Sequence, residues 1–367
     1  DRFWPCIGGV GLTSKRLLPA LRLRGYEFTV VTLKENADLP EEDEFEGMRV
    51  CRWPLWTALE SRDVVQLFGM KKRIAALKRE FSPDLVHIDF LGPSVLFHSQ
   101  TTDAHPAPVL VSMDSAFLPE GTGSDSLAGR ILATADWVTC VSEASLSTIR
   151  QGIPETVSRS SCIYKGKPPP SVDISPIPAG PPRILCLGRL VRSKGFDLAL
   201  TAFASILSRM PDARLVLGGD GPERAALEQD IARLGLESAV ELLGWVDPEE
   251  VPDLINRVTL VLIPSRDDGL PNVAKEAGLM ARPVVATQVG GLPEVIHHQD
   301  TGLLVKPNDP AALATAALHL LENPEEATRM GQSARARVQE LFDFERYVDA
   351  YDALYRRLIG RSSVTSN

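Results

Sequence analysis

One stretch constrains this chain more than any other: TLVLIPSRDDGLPNVAKEAGLMARPVVAT, residues 259–287. TLVLIPS is a short apolar run bounded by turn residues, the pattern of a strand buried on both faces. RDDGL follows as a loop. Pro271 suits the first position of a helix, where its missing N–H costs nothing. The helix is expected to run to about Met280, and PVVAT supplies the next strand. A strand–loop–helix–strand unit of this kind belongs to an open parallel sheet, where ligands collect at the carboxyl ends of the strands. The free N–H groups and dipole of the helix start favour an anion there.

Acidic residues sharpen the reading. Asp268 precedes the helix, and Glu276 comes eight residues later. Asn272 and Glu276 are four apart and share a helix face, while Val273, Ala277 and Met280 lie on the other face and fit a core. Glu276 can then reach toward a polyol while the N-terminal amides hold phosphate. A carboxylate accepting from two hydroxyls is a common way to fix a ribose.

At 367 residues, two domains are expected. A net charge of −9 argues against nucleic acid as the main partner. The five cysteines, Cys6, Cys51, Cys140, Cys162 and Cys186, are scattered and form no metal-ligand pattern, which predicts a reduced, cytoplasmic setting. No apolar run reaches transmembrane length.

Along the chain, DRFWPCIGGVG reads as the end of a first strand, cut short, running into a glycine-rich turn. Gly8, Gly9 and Gly11 there suit either close approach to a phosphate or a plain tight turn. A helix over LTSKRLLPALRLRG stops at Gly25, and YEFTVVTL is the second strand. Residues 34–60 are acidic and loop-like, with one strand expected over GMRVCRW. VVQLFGMKKRIAALKRE is an amphipathic helix carrying Lys71, Lys72, Arg73, Lys78 and Arg79. These cations form either a solvated face or a contact for anionic lipid at a membrane surface. PDLVHIDF, PVLVSMDS and DWVTCVS are further strands. Seven prolines in residues 165–182 predict a linker. Strand and helix patterns then alternate again from RILCLGRL to DPAALATAALHLLEN, which predicts a second doubly wound α/β domain. The last helix, 343–358, has Phe344, Tyr347, Val348, Tyr351, Leu354 and Tyr355 on one stripe.

The 259–287 segment resembles the acidic-x7-Glu signature of family 4 retaining glycosyltransferases, with Asp268 where that family usually has Glu. GRLVRSKG, residues 188–195, resembles the family's Gly-Arg-Leu…Lys-Gly signature, and LGWVD, residues 243–247, resembles its base-bordering loop. The resemblance implies the GT-B architecture: two Rossmann-like domains facing across a cleft, with the terminal helix crossing back to the first. The corresponding divisions are 1–165 for the acceptor domain, 166–182 for the linker, 183–342 for the donor domain and 343–367 for the terminal helix and tail. It implies transfer with retention from a nucleotide diphosphate sugar, a UDP-sugar being favoured, to a glycan, lipid-linked or small-molecule acceptor. Arg189 and Lys194 would face the departing diphosphate. Asp268, with the backbone of Gly269 and Leu270, would hold the sugar. The amides of Asn272 and Val273 would bind phosphate, Glu276 the ribose, and Val246 the base; Gly9 would approach the donor from the first domain. No Asp-x-Asp occurs, so neither a metal nor another cofactor is expected. In the first domain the chain departs from the family: VLVSMDSAF puts Met113 where a His is usual and keeps Asp114, both on the acceptor side, and PDLVHIDF keeps His87 but has Asp89 where a second His is common. His87 is expected to be a buried structural residue. Two alternatives remain open: a nucleotide-sugar-binding protein without transfer, and a GT-B epimerase.

Overall fold

The computed structural model describes residues 3, 5, 9–34, 36, 38–61, 63–89, 91–114 and 126–365, without side chains at 9–12 and 361–365. The chain forms two compact units, one comprising Asp1–Lys165 with Glu345–Asn367, the other Gly166–Phe344.

The first unit holds two sheets. In one, β1 (Thr29–Leu33), β2 (Glu42–Phe45) and β3 (Met48–Trp53) lie in the order β1-β3-β2. The second sheet contains β4 (Val86–Asp89), β5 (Val109–Met113), β6 (Trp137–Cys140) and β7 (Ser160–Cys162), all parallel and in sequence order. The acidic stretch expected to be loop contains β2, which pairs antiparallel with β3. The two strands are joined by Glu46 and Gly47, both at positive φ (50° and 74°), the backbone of a tight two-residue hairpin. Charged residues on an edge strand leave no hydrophobic period to read, which is why EDEF is silent in sequence. A cavity of about 570 Å3 is lined by residues of β1 and β4 together with Leu17, Leu18 and Tyr351.

Helix α1 (Gly9–Arg22) starts earlier than expected, so Gly9 and Gly11 sit in its first turn; Gly8 lies outside the described residues. Helices α2 (Leu55–Glu60) and α3 (Val64–Phe81) follow, α3 being N-capped by the Asp63 carboxylate. The terminal helix Phe344–Thr365 packs within this unit through its apolar stripe: Tyr347, Val348, Tyr351, Leu354, Tyr355 and Leu358 are all buried. Its phenols find partners, as buried phenols must. Tyr355 is hydrogen-bonded to His87 Nδ1 at 2.6 Å, Tyr351 to Ser112 at 2.9 Å, and Tyr26 donates to Asp352 at 2.7 Å.

The second unit is one six-stranded parallel sheet: β8 (Arg183–Leu187), β9 (Arg214–Gly218), β10 (Val240–Gly244), β11 (Leu260–Ile263), β12 (Val284–Thr287) and β13 (Leu303–Val305). Its order is β10-β9-β8-β11-β12-β13. This is the doubly wound order, and the chain reverses direction across the sheet between β8 and β11. Every residue of β11 and β12 is buried, as near-continuous Leu, Val and Ile runs require when helices cover both faces. The core joins β8, β9 and β11 to the helices Phe196–Arg209 and Pro310–Glu322. The proline-rich stretch read as a linker is strapped to this unit. The buried Arg282 guanidinium donates to the carbonyls of Ser175, Pro176 and Asn256, and the Asn256 amide donates to Asp173 O.

Candidate active site

The switch point between β8 and β11 is where the 188–195 and 264–271 loops leave the sheet. Gly195 locks them together. It sits at φ 69°, and a Cβ there would come within 2.1 Å of the Pro264 carbonyl oxygen, so only glycine fits. Arg266 adds to the lock: its N–H donates to Ser193 O at 2.6 Å, and its guanidinium grips both Asp197 oxygens at 2.7 Å. Behind Asp268, Gly290 (φ 50°) would place a Cβ 1.8 Å from the Asp268 carbonyl oxygen, and Gly291 N–H donates to that oxygen at 3.0 Å. VGG therefore does more than turn the chain; it holds the Asp268 backbone in place.

These constraints bring Lys194 and Asp268 into an ion pair, 74 residues apart in sequence. Their side chains are 29% and 10% exposed, so the pair is reachable. Arg189, just past the end of β8, is exposed and makes no ion pair among the described residues. The helix Asn272–Leu279 begins one residue later than expected, with Pro271 as its N-cap and no side-chain cap on its first amides. Those amides are the donors a phosphate would use. Gly269 and Leu270 are half-buried in the loop before it. Val273, Ala277 and Met280 are buried as expected. Glu276 lies on the open side, 2.5 Å from Lys167 Nζ. Val246, half-buried beyond β10, lies against Gly218 at the end of β9. Arg189, Lys194, Asp268 and Val246 thus all follow carboxyl ends of this parallel sheet, and Lys194 and Asp268 are in contact there.

The first unit presents a different carboxyl edge. Met113 ends β5 as expected, but its side chain is 5% exposed and packs in the core with Ile88, Val95 and Val111. An apolar thioether is better placed there than in water, so its side chain is part of the core. Asp114, the next residue, is ion-paired with Lys165. Asp89, at the end of β4, accepts from Ser14 Oγ at 2.5 Å. Burial alone would lower the Lys165 ammonium, but Asp114 and Asp89 outweigh it and hold it above its ordinary value. His87 is hydrogen-bonded to Tyr355 and Ser112, and burial pushes its imidazole down to about 4, so it is neutral.

Two residues missed from sequence, Lys165 and Lys167, stand in KGK just before the proline run. Lys165 serves the first unit and Lys167 the second. Charge at the edge of a proline-rich stretch was the available signal, but partners so distant cannot be read from it.

The basic cluster on α3 is smaller than expected. Lys78 is buried, donates to Thr101 O at 3.1 Å, and is lowered to about 8 by burial. Arg73 turns inward, lying 4.7 Å from the centre of the Trp53 ring and pairing with Glu41. Lys71, Lys72 and Arg79 remain toward solvent. Beside them Val65 is 79% and Phe68 58% exposed.

Among the described residues, no helix is long and apolar enough to cross a membrane. None of their His, Cys, Asp and Glu side chains form a group of three or more suited to a metal ion.

Residues 7–169 match the family described as Glycosyltransferase Family 4, and residues 170–337 match Glycosyl transferases group 1. The chain belongs to the family 4 glycosyltransferases. Alpha-D-kanosaminyltransferase from Streptomyces kanamyceticus is 33% identical over 48% of this chain and 46% of its own length. N-acetyl-alpha-D-glucosaminyl L-malate synthase from Bacillus anthracis is 38% identical over 42% of this chain and 40% of its own. The family 4 chain therefore spans about half the length of these curated relatives. Glycogen synthase from Mycobacterium tuberculosis is 25% identical over 95% of this chain and 91% of its own. Among solved structures, sucrose-phosphate synthase from Thermosynechococcus elongatus superposes with a TM-score of 0.83 at 24% identity, covering 96% of this chain and 94% of that one. Anabaena HepE in complex with UDP and glucose superposes at 0.81 with 21% identity, covering 97% and 98%. This glycosyltransferase-family chain has the GT-B fold of two Rossmann-like domains.

Proposed function

We propose that this protein is a retaining glycosyltransferase that takes its sugar from a nucleotide diphosphate sugar. One observation carries the reading: the Lys194–Asp268 pair stands at the sheet's switch point, in front of an uncapped helix start, with Glu276 farther along that helix. The diphosphate would sit on the amides of Asn272 and Val273. Arg189 and Lys194 would neutralise the charge that grows as it departs. Asp268, freed from Lys194 as phosphate arrives, would accept from the sugar hydroxyls beside Gly269 and Leu270. Glu276 would accept from the ribose, and Val246 would border the base. Donor cleavage through an oxocarbenium-like state, with attack and departure on one face, needs no covalent intermediate on the protein. Cations and the helix start supply the positive charge, so a metal is not required. UDP is the first nucleotide to test, since HepE of the same fold carries it.

On the first unit, Asp114 is the proposed acceptor-side group. The setting is proposed to be cytoplasmic, and a lipid-surface acceptor is a second reading. Its support is the outward face of α3, where Val64, Val65 and Phe68 adjoin Lys71, Lys72 and Arg79. Apolar side chains beside cations suit an anionic bilayer.

A thermal-shift panel of UDP-, GDP- and ADP-sugars tests the donor site. Binding stabilises the fold by about 2.7 kcal/mol at a hundredfold over the dissociation constant, and no shift with any of them would end the reading. Incubating the bound donor with and without acceptors then separates transfer from binding alone and from an epimerised donor. Activity that survives chelator supports a metal-free mechanism; strong inhibition would overturn it.

A further inference from the structure

Lys167 and Glu276 form an ion pair at 2.5 Å, with side chains only 9% and 20% exposed. Neither local sequence nor helix geometry explains the pair, since 109 residues separate its members. What explains it is the place where the chain enters and leaves the second unit. Gly166 lies so close to the departing chain that a Cβ would meet the Asp343 carbonyl oxygen at 2.3 Å and Phe344 Cα at 2.7 Å. No other residue fits there without moving the backbone. One residue on, Lys167 N–H donates to Phe342 O at 2.8 Å, and Lys167 forms a parallel bridge with Asp343. Phe342 is buried, and its ring centre lies 5.9 Å from the ammonium of Lys275, the helix neighbour of Glu276. The Lys167 backbone is thus fastened to the short connection at Phe342 and Asp343 between two helices, and its side chain runs from that fixed point to Glu276.

We propose that Lys167 is a positioning residue for the nucleotide's ribose. It holds Glu276 Oε1, so that Oε2 stands in one orientation to accept from the ribose hydroxyls. This rests on the donor-site reading above. The benefit is preorganisation: a glutamate on an open helix face samples several rotamers, and one pinned by a buried ammonium does not. Lys167 acts through Glu276, so its effect requires both the carboxylate and the hydroxyls.

A double-mutant cycle with two nucleotides tests this. Affinities for UDP and 2′,3′-dideoxy-UDP are measured by calorimetry on the full chain as wild type, Glu276→Gln, Lys167→Met and the double variant. Glu276→Gln should weaken UDP by about tenfold or more, the scale of a hydrogen bond to a charged group. Lys167→Met should weaken UDP by several-fold, leave dideoxy-UDP unchanged, and add nothing to Glu276→Gln. Lys167→Arg should restore most of the loss. Should Lys167→Met not fold, Lys167→Gln is measured the same way. Equal losses for both nucleotides, or full additivity in the double variant, would overturn the positioning role. If Glu276→Gln leaves UDP affinity unchanged, the ribose assignment of Glu276 itself has failed, a separate outcome.

Discussion

The carboxyl edges of the two units are built from similar parts and put to different uses. In the second unit, Lys194 is 29% exposed and pairs with Asp268 before a helix start without a side-chain cap, and Glu276 pairs with Lys167 farther along that helix. In the first, Asp89, Asp114 and Lys165 satisfy one another, His87 is neutral between Tyr355 and Ser112, and Met113 fills the core. A parallel sheet offers a ligand crevice at its carboxyl end, but charges do chemistry there only if the fold leaves them wet enough to exchange partners. Lys165, 11% exposed and held by two carboxylates, is costly to remove because Asp114 and Asp89 would lose their shared cation. This difference fits the proposal of donor binding at the second unit's edge, and it gives Lys165 a structural role in the first.

Breaking the first unit's network should have the largest effect. Lys165→Met leaves Asp114 and Asp89 without their shared cation, and removal of one member of a buried charge cluster costs about 3–5 kcal/mol. The urea midpoint should fall while UDP affinity holds in the folded fraction. A loss of UDP affinity with unchanged stability would reverse the assignment of the two edges.

The opposite pattern is expected for Lys194→Ala and Arg189→Ala. These should lower kcat with little change in stability, each by about 2.7–4 kcal/mol if it faces the departing charge as a preorganised donor does. A change confined to KM would place them in ground-state binding only.

Acid sharpens the contrast next. The unfolded His87 takes its proton near about 6.5, whereas the folded one resists until about 4 because burial lowers it. Falling pH therefore favours the unfolded state across that window, and the stability is fully present above it. His98, also pushed to about 4 by burial beside Lys78, adds to the same loss. Stability should fall by roughly 2 kcal/mol for each of the two imidazoles between pH 7 and pH 4.5, and by about half as much in His87→Gln. A flat profile would mean that neither imidazole is held neutral.

The smallest effect on folding belongs to Phe68→Ser on the exposed face of α3. Stability should stay within about 0.5 kcal/mol, while cosedimentation with anionic vesicles should drop. Equal binding by wild type and variant would remove this face from any membrane contact.

Much of the second unit was legible because its information is local. Continuous apolar runs mark the buried strands of β11 and β12, and glycine and proline mark their turns. Asp268 lies just before the helix and Glu276 about one turn into it, so local spacing puts both near one helix start. The first unit was legible in part. Its parallel strands and aromatic terminal helix could be read, but not β2, whose Glu-Asp-Glu run has no hydrophobic period. The basic helix misled for a related reason. Periodicity says that α3 has two faces, but not that Lys78 reaches the Thr101 carbonyl or that Arg73 lies on Trp53.

From sequence alone came two α/β domains, the doubly wound pattern, the loop at Asp268 and the helix that carries Glu276. Each depends on residues within a turn or a strand of one another, where backbone geometry leaves few choices. Tertiary structure decided which charges meet. Lys167 reaches Glu276 because Gly166 allows a close approach to Asp343. Lys194 reaches Asp268 because Gly195 and Gly290 allow two loops to touch, and Lys165 closes on Asp114 where β5 and β7 end. Such pairs depend on how closely backbones distant in sequence can approach, a distance that exists only once the sheets have assembled.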